Sequence, residues 1–261
     1  MENNESKIKM ISLILTILII SVFVIKTPWI KIINRDFFPV LNSRDIRIFY
    51  YTDIEDLAIA VDKQDSVSIC KILNIHPEYL NETDDVYGTT VLSYAVEKNK
   101  RRSIKILLKY GADPTQNSNI NPIMVSIINN NEKIFFELIR SSNMLHKDNL
   151  IYALCRCMKE EKWNKYYEPL VNLDIIRYDE EGALLGYAIK FNRYDFAVDL
   201  LRRDALFVNE IEFNDKSYTS KHLLTDYIED KFPFDTLQYR YKLQFISMLE
   251  ERGLYKKKEE D

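Results

Sequence analysis

The strongest constraint on this chain is a spacing. Leu57, Ala60, Ile69, Ile72 and Leu73 recur 35 residues later as Leu92, Ala95, Ile104, Leu107 and Leu108. A period of this length belongs to stacked units, each too small to bury both of its faces without neighbours. Within each unit the apolar residues fall at helical intervals, first on one short helix and then on a second. The clearest unit is residues 85–116, DVYGTTVLSYAVEKNKRRSIKILLKYGADPTQ. Gly88 precedes a helix carrying Leu92, Ala95 and Val96, a turn at Asn99 follows, and a second helix carries Ile104, Leu107 and Leu108. Gly111 and Pro114 then end it, because glycine accepts the left-handed conformation and proline cannot continue a helix.

Four further units keep the spacing less strictly, and a sixth ends the array. Met124 to Asn131 with Phe135, Leu138 and Ile139 forms the third, with Pro122 near its first helix. Leu150 and Ala153 start a fourth, whose second helix is expected around Tyr166 to Leu173. Gly182, Leu185, Ala188 and Asn192 with Leu200 and Leu201 give a fifth. The sixth, Leu223 to Ile228 and then Phe245 to Gly253, reads as a cap with a long connecting loop. Small residues at Ala60, Ala95, Ala153 and Ala188 let neighbouring first helices approach, and a larger side chain there would overpack at a cost of roughly 1–3 kcal/mol.

The run G-x-T-x-L-x-x-A followed by L-L-x-x-G-A-D-x in residues 85–116 resembles the ankyrin repeat without a gap. Val91 stands where that family has proline and Ser93 where it has histidine, which puts the family's helix-start hydrogen bond between neighbouring repeats in question. The resemblance implies an all-α fold, an ankyrin-repeat solenoid of stacked helix-turn-helix units over residues 51–253. It also implies binding through the turn tips and the exposed side of the first helices. Carried onto this sequence, that concave face is Val86, Tyr87, Thr89, Glu97 and Lys98, with Asp62 and Lys63, Asn129 and Asn130, and Lys190 and Phe191 in the equivalent places. Tyr87 and Phe191 stand out, since aromatic side chains are over-represented at binding hot spots.

Ahead of the repeats, residues 10–25 (MISLILTILIISVFVI) carry no charge. As a helix they cover about 24 Å, slightly less than a hydrocarbon core of roughly 30 Å. Trp29, Ile30, Ile32 and Ile33 offer an interfacial anchor, and no small-residue cleavage pattern follows. The reading is one N-terminal transmembrane helix, an uncleaved signal-anchor behind a tail of residues 1–9, with a cleaved signal peptide as the alternative. Lys26, Lys31, Arg35 and Arg44 outnumber the positive charges before the span by one, which leans towards a cytoplasmic repeat domain and leaves the side open. Residues 26–50 form a juxtamembrane segment. Its later part, 34–50, is too apolar for a flexible linker and is read as a cap on the first repeat. Residues 254–261 read as a charged tail.

Chemistry is sparse. The net charge is −4, from 36 basic and 40 acidic residues, which gives no footprint for nucleic acid. Five glycines are too few for a many-turned β architecture. Cys70, Cys155 and Cys157 have no disulfide-framework spacing, and the last two diverge on a helix, so free thiols are expected. No phosphate loop, nucleophile elbow or metal-spaced cluster occurs. His76 and His146 are read at second-helix ends beside terminal carbonyls, and His222 lies far from both. Asp84-Asp85 and Glu180-Glu181 precede first helices, where negative charge suits a helix N-terminus.

The expectation is therefore a single-pass membrane protein of an inner or plasma membrane. It binds a protein partner and needs no cofactor, metal, small-molecule substrate or nucleic acid. Small membrane-linked ankyrin proteins beside secreted toxins suggest an alternative by analogy: a bacterial immunity-type protein that occludes a toxic effector such as a lipase. A second alternative is an enzyme hidden on the scaffold, in the less regular stretch from Lys159 to Tyr178.

Overall fold

In the computed structural model, residues 45–85, 87–116, 121–141, 144–215, 218–230 and 236–255 are described. The chain enters through a 3-10 turn, Ile46–Phe49, started by Asp45, whose carboxylate accepts from the Arg47 backbone N–H at 3.0 Å. Ile48 and Phe49 are buried, and the Phe49 ring meets Tyr94 edge-on at 5.6 Å. Of the predicted cap, these last residues are the part the structure describes. The predicted membrane anchor at 10–25 lies outside the described residues. Among the described residues, no helix is long and apolar enough to cross a membrane.

Five helix pairs follow. The first four helices are α1 (Glu55–Lys63), α2 (Ser66–Ile75), α3 (Val91–Glu97) and α4 (Arg101–Lys109). The third pair is α5 (Pro122–Ile128) and α6 (Glu132–Ile139). The fourth is α7 (Ile151–Lys159) with a 3-10 stretch, Glu161–Tyr166, that runs into α8 (Tyr167–Val171). The fifth is α9 (Ala183–Lys190) and α10 (Tyr194–Arg202). Their starts are set by local chemistry. Asp65 accepts from Val67 and Ser68 N–H at α2, Thr90 from Ser93 N–H at α3, and Asn121 from Met124 N–H at α5, where Pro122 occupies the first turn. Within four of the pairs the turn is made by one residue with positive φ: Gln64 (54°), Asn99 (54°), Asn130 (50°) and Asn192 (56°). Asparagine tolerates that conformation better than most residues, so the turn positions are written into the chain. The fourth pair lacks this turn. Glu160 is extended there, and the 3-10 stretch takes over.

The first helices pack in a row, α1 on α3, α3 on α5, α5 on α7 and α7 on α9, and α9 continues onto α11 (Leu224–Asp230). Second helices lie alongside, with α2 against α4 and α10 against α12 (Thr236–Glu251). A continuous core runs through the row: Leu57, Leu92, Ile104, Ile127, Phe135, Leu154, Leu185 and Leu201 are all essentially inaccessible. Burial of this kind, at roughly 25 cal/mol per Å² of apolar surface, is what each unit obtains only from its neighbours.

The structure departs from the all-α expectation in one place. Before the sixth pair, β1 (Glu210–Asp215) and β2 (Tyr218–Leu223) form an antiparallel hairpin, with Ile211 opposite His222 and Phe213 opposite Ser220. Asn209 fastens its base to α11, its carbonyl accepting from Leu224 N–H at 2.7 Å and its side chain from Thr225 N–H at 3.1 Å. The folded region also runs two residues past its predicted end. Tyr255 is buried and its hydroxyl donates to Glu229 at 3.4 Å, so the charged tail is shorter than the sequence suggests.

Candidate partner-binding face

The C-terminal ends of the first helices and the turns before them are the positions singled out as a binding face. Several of these side chains link one repeat to the next. Asp62, at the end of α1, accepts from the Tyr94 hydroxyl at 2.9 Å and faces the Lys100 ammonium at 3.0 Å. Partial burial pushes its carboxyl up, but the Lys100 and Tyr94 hydrogen bonds outweigh this and hold it below the ordinary aspartate range. Asn130, in the α5–α6 turn, accepts from the Tyr166 hydroxyl at 3.0 Å. Asn129 donates to Glu97 at 3.0 Å across α3 and α5. The bonds to Tyr94, Tyr166 and Glu97 join residues 32 to 36 apart, about one period. The Thr90 hydroxyl caps α3 from within its own repeat, accepting from Ser93 N–H at 3.1 Å.

The turn before α3 is built on Asp84. Its buried carboxylate accepts from Tyr87 N–H at 2.7 Å and Thr89 N–H at 2.6 Å, and its own N–H donates to Thr89 carbonyl oxygen at 3.0 Å. Thr89 is 2% exposed and so is a structural residue, not part of a contact surface. Tyr87 is 37% exposed, and Lys63 and Lys98 are exposed as well. Val86 lies outside the described residues. At the fifth pair the same office falls to Asp179, which accepts from Ala183 and Leu184 N–H, both at 2.8 Å. Burial pushes its carboxyl above the ordinary range. The sequence reading named Glu180 and Glu181 here, and both are exposed; the capping carboxylate is the residue before them.

Towards the C-terminal repeats the face turns aromatic and cationic. Phe191 and Tyr187 lie 5.6 Å apart, ring to ring. Lys159 at the end of α7 sits 5.8 Å over Phe191, and Lys190 sits 5.8 Å over Tyr187. Elsewhere on α7 the Arg156 guanidinium lies 4.9 Å from the ring of buried Trp163. Of the cluster, sequence reasoning found Lys190 and Phe191 and missed Tyr187 and Lys159. The spacing Tyr187–Phe191 (i, i+4) on a helix was a usable signal. Lys159 was harder to see, because α7 ends without the turn that marks the equivalent position elsewhere.

Of the two histidines expected at second-helix ends, His76 sits at one and His146 does not. His76 caps the end of α2 with its backbone N–H, while its ring bonds Glu78 at 3.0 Å and stacks on Tyr79 at 4.7 Å. His146 lies beyond α6, with Nε2 3.8 Å from Asp113, too far for a hydrogen bond. Its backbone N–H instead donates to the Thr115 hydroxyl at 2.9 Å, and Asn149 reaches Thr115 carbonyl oxygen at 2.9 Å, joining repeats through their loops. The cysteines are free thiols, Cys70 half-buried and Cys155 and Cys157 buried. Among the described residues, no cluster of three or more His, Cys, Asp or Glu side chains is placed to hold a metal ion.

Helix pairs stacked first helix on first helix, turned by left-handed residues and joined by loop hydrogen bonds, define a helical repeat solenoid. Residues 57–148 match the family model for ankyrin repeats, in three copies. The match covers a little over a third of the sequence. No curated protein matches the chain in sequence. Ankyrin repeats are protein-interaction modules and are generally non-catalytic scaffolds.

Proposed function

We propose that this chain is a membrane-tethered, non-catalytic binding module that captures a protein partner on the face formed by its first-helix ends and the turns before them. The observation that carries the reading is the aromatic–cationic cluster of Tyr187, Phe191, Lys159 and Lys190 on α9 and at the end of α7. Aromatic side chains are over-represented at interface hot spots, and here each ring has a lysine ammonium within cation–π reach. Tyr87 on the second repeat extends the same face. The tether is residues 10–25, supported by their uncharged apolar run.

Capture by the full chain, followed by mass spectrometry, identifies the partner. Phe191→Ala and Tyr87→Ala are then expected to weaken its binding by about tenfold or more, with thermal unfolding nearly unmoved. If both variants bind as tightly as the parent, the face is wrongly assigned. A secreted lipase or other toxin among the captured proteins, inhibited on binding, would place the chain among immunity proteins.

A further inference from the structure

The second-helix row carries a feature the partner-binding face does not use. Helix α4 presents Arg101, Arg102, Lys105 and Lys109 and contains no acidic residue. These four line an open groove of about 710 Å³ between α2 and α4, floored by Ser66, Cys70, Ile106 and Tyr110. Tyr110 fixes that floor, its hydroxyl donating to Asn74 at 3.1 Å. None of the four cations forms an ion pair among the described residues, whereas Lys100, just before them, is paired with Asp62. The corresponding stretch of α6 mixes signs, with Glu132, Lys133, Glu137 and Arg140. On α2, Val67 and Lys71 each follow a groove-lining residue; Lys71 is exposed and Val67 is 79% exposed. Four unpaired cations, a fifth beside them and an exposed aliphatic side chain therefore share the outer side of the first two repeats.

We propose that this surface rests on the anionic headgroups of the membrane that the tether enters. Lys and Arg spread charge towards phosphate while their stems lie along apolar surface, and Val67 suits the headgroup–acyl boundary. The placement fits. These are the repeats nearest the N-terminal segment, and the 19 residues between positions 25 and 45 reach at most about 65 Å. A tether of that length holds the surface at high effective concentration over the bilayer, where weak headgroup attraction is enough. A soluble polyanion has no such help. Because the groove belongs to the second-helix row, lipid contact leaves the first-helix ends free for a partner. The proposal rests on the tether reading and is testable apart from it.

The full chain is reconstituted in phosphatidylcholine vesicles with and without phosphatidylserine, and lysine acetylation is followed residue by residue by mass spectrometry. Lys71, Lys105 and Lys109 are expected to label about fivefold or more slowly on the phosphatidylserine vesicles. Lys63 and Lys98 should label alike on both. Molar potassium chloride should abolish the difference. The double variant Arg102→Glu with Lys105→Glu should abolish it as well, with helical circular dichroism retained. Carbonate extraction of the same vesicles reads the tether separately. Equal labelling on both vesicle types overturns the proposal whether or not the chain resists extraction. Slowed labelling of a chain that carbonate removes keeps the surface and discards the tether. Slowed labelling by an oligoglutamate peptide in lipid-free solution, with none on vesicles, makes the groove a peptide site and also overturns it.

Discussion

Three thiols in one chain occupy two kinds of surroundings, and the difference is measurable. Cys157 is packed among the core of α7, and burial pushes its thiol up to about 12 from an ordinary value near 9. Cys155 is displaced upward as well, by burial first and by the Asp179 carboxylate and Cys157 next. A disulfide reagent near pH 8 should therefore modify half-buried Cys70 and reach the other two only after denaturation; rapid modification of all three would contradict their placement. The same burial links stability to alkali. The folded state holds the Cys157 proton more tightly than the unfolded chain, so the stability it contributes is complete below pH 9 and is lost as pH rises towards 12. Between pH 9 and 10 the loss is expected to be ~1 kcal/mol per pH unit from this residue. Cys157→Ala should be less stable at neutral pH but flatter over that interval in denaturant titrations. Tyr94, Tyr167 and Tyr194 are displaced upward too, chiefly by burial, and steepen the loss at higher pH in both proteins.

Helix starts and turns are where this sequence is most legible, and also where it becomes less so. Gly182 shows both. It sits just before α9 with φ of 68°, and a Cβ there would come within 2.9 Å of a Val208 methyl and 3.0 Å of the Leu206 carbonyl oxygen. Backbone cannot step aside as a flexible side chain can, so Gly182→Ala combines a left-handed penalty of roughly 1–2 kcal/mol with a clash. A loss of about 2–3 kcal/mol in chemical denaturation is expected. A loss under half a kcal/mol would mean that the Leu206–Val208 segment is free to move. The periodic residues Leu57/Leu92 and Ala60/Ala95 located the first two pairs in the sequence because their short turns leave no freedom in spacing. The fourth pair was placed only approximately. Its first helix ends at extended Glu160 without an asparagine turn, and Trp163 and Tyr166 are buried from a 3-10 stretch, where helical periodicity does not apply. The hairpin was missed although Glu210, Ile211, Glu212 and Phe213 alternate in character as a strand does, because the run is short and was read inside a repeat frame. The binding face was legible by position and less so by role. Asp62 and Asn130 are surface positions in the repeat pattern, yet their side chains bond Tyr94 and Tyr166 of the following repeats, and no single-repeat pattern carries that information.

Stacking makes the molecule close to one-dimensional, since a unit touches mainly the units before and after it. Stability is then a sum of unit and interface terms, and damage at one end need not reach the other. The C-terminal interface offers the test. Helix α12 packs on α10 and brings Phe245, fully buried, to 6.1 Å from the Tyr194 ring. Phe245→Ala leaves a cavity there and should cost about 3–5 kcal/mol at that interface. In a cooperative globule the whole chain would lose protection from hydrogen exchange by that amount. In this array, α10 and α12 should exchange markedly faster while α3 to α6 keep their parent rates, because hydrogen bonds such as His146 to Thr115 and Tyr166 to Asn130 hold the central repeats independently of the cap. Uniform acceleration across the chain would show that the irregular fourth pair transmits strain instead of isolating it, and would make the array a single folding unit. Local acceleration would mean that Tyr187 and Phe191, one helix pair from the cap, lie on the less stable part of the molecule. Their cluster would then be able to adjust to a partner while the first two repeats, and the cationic groove of α2 and α4, keep a fixed shape.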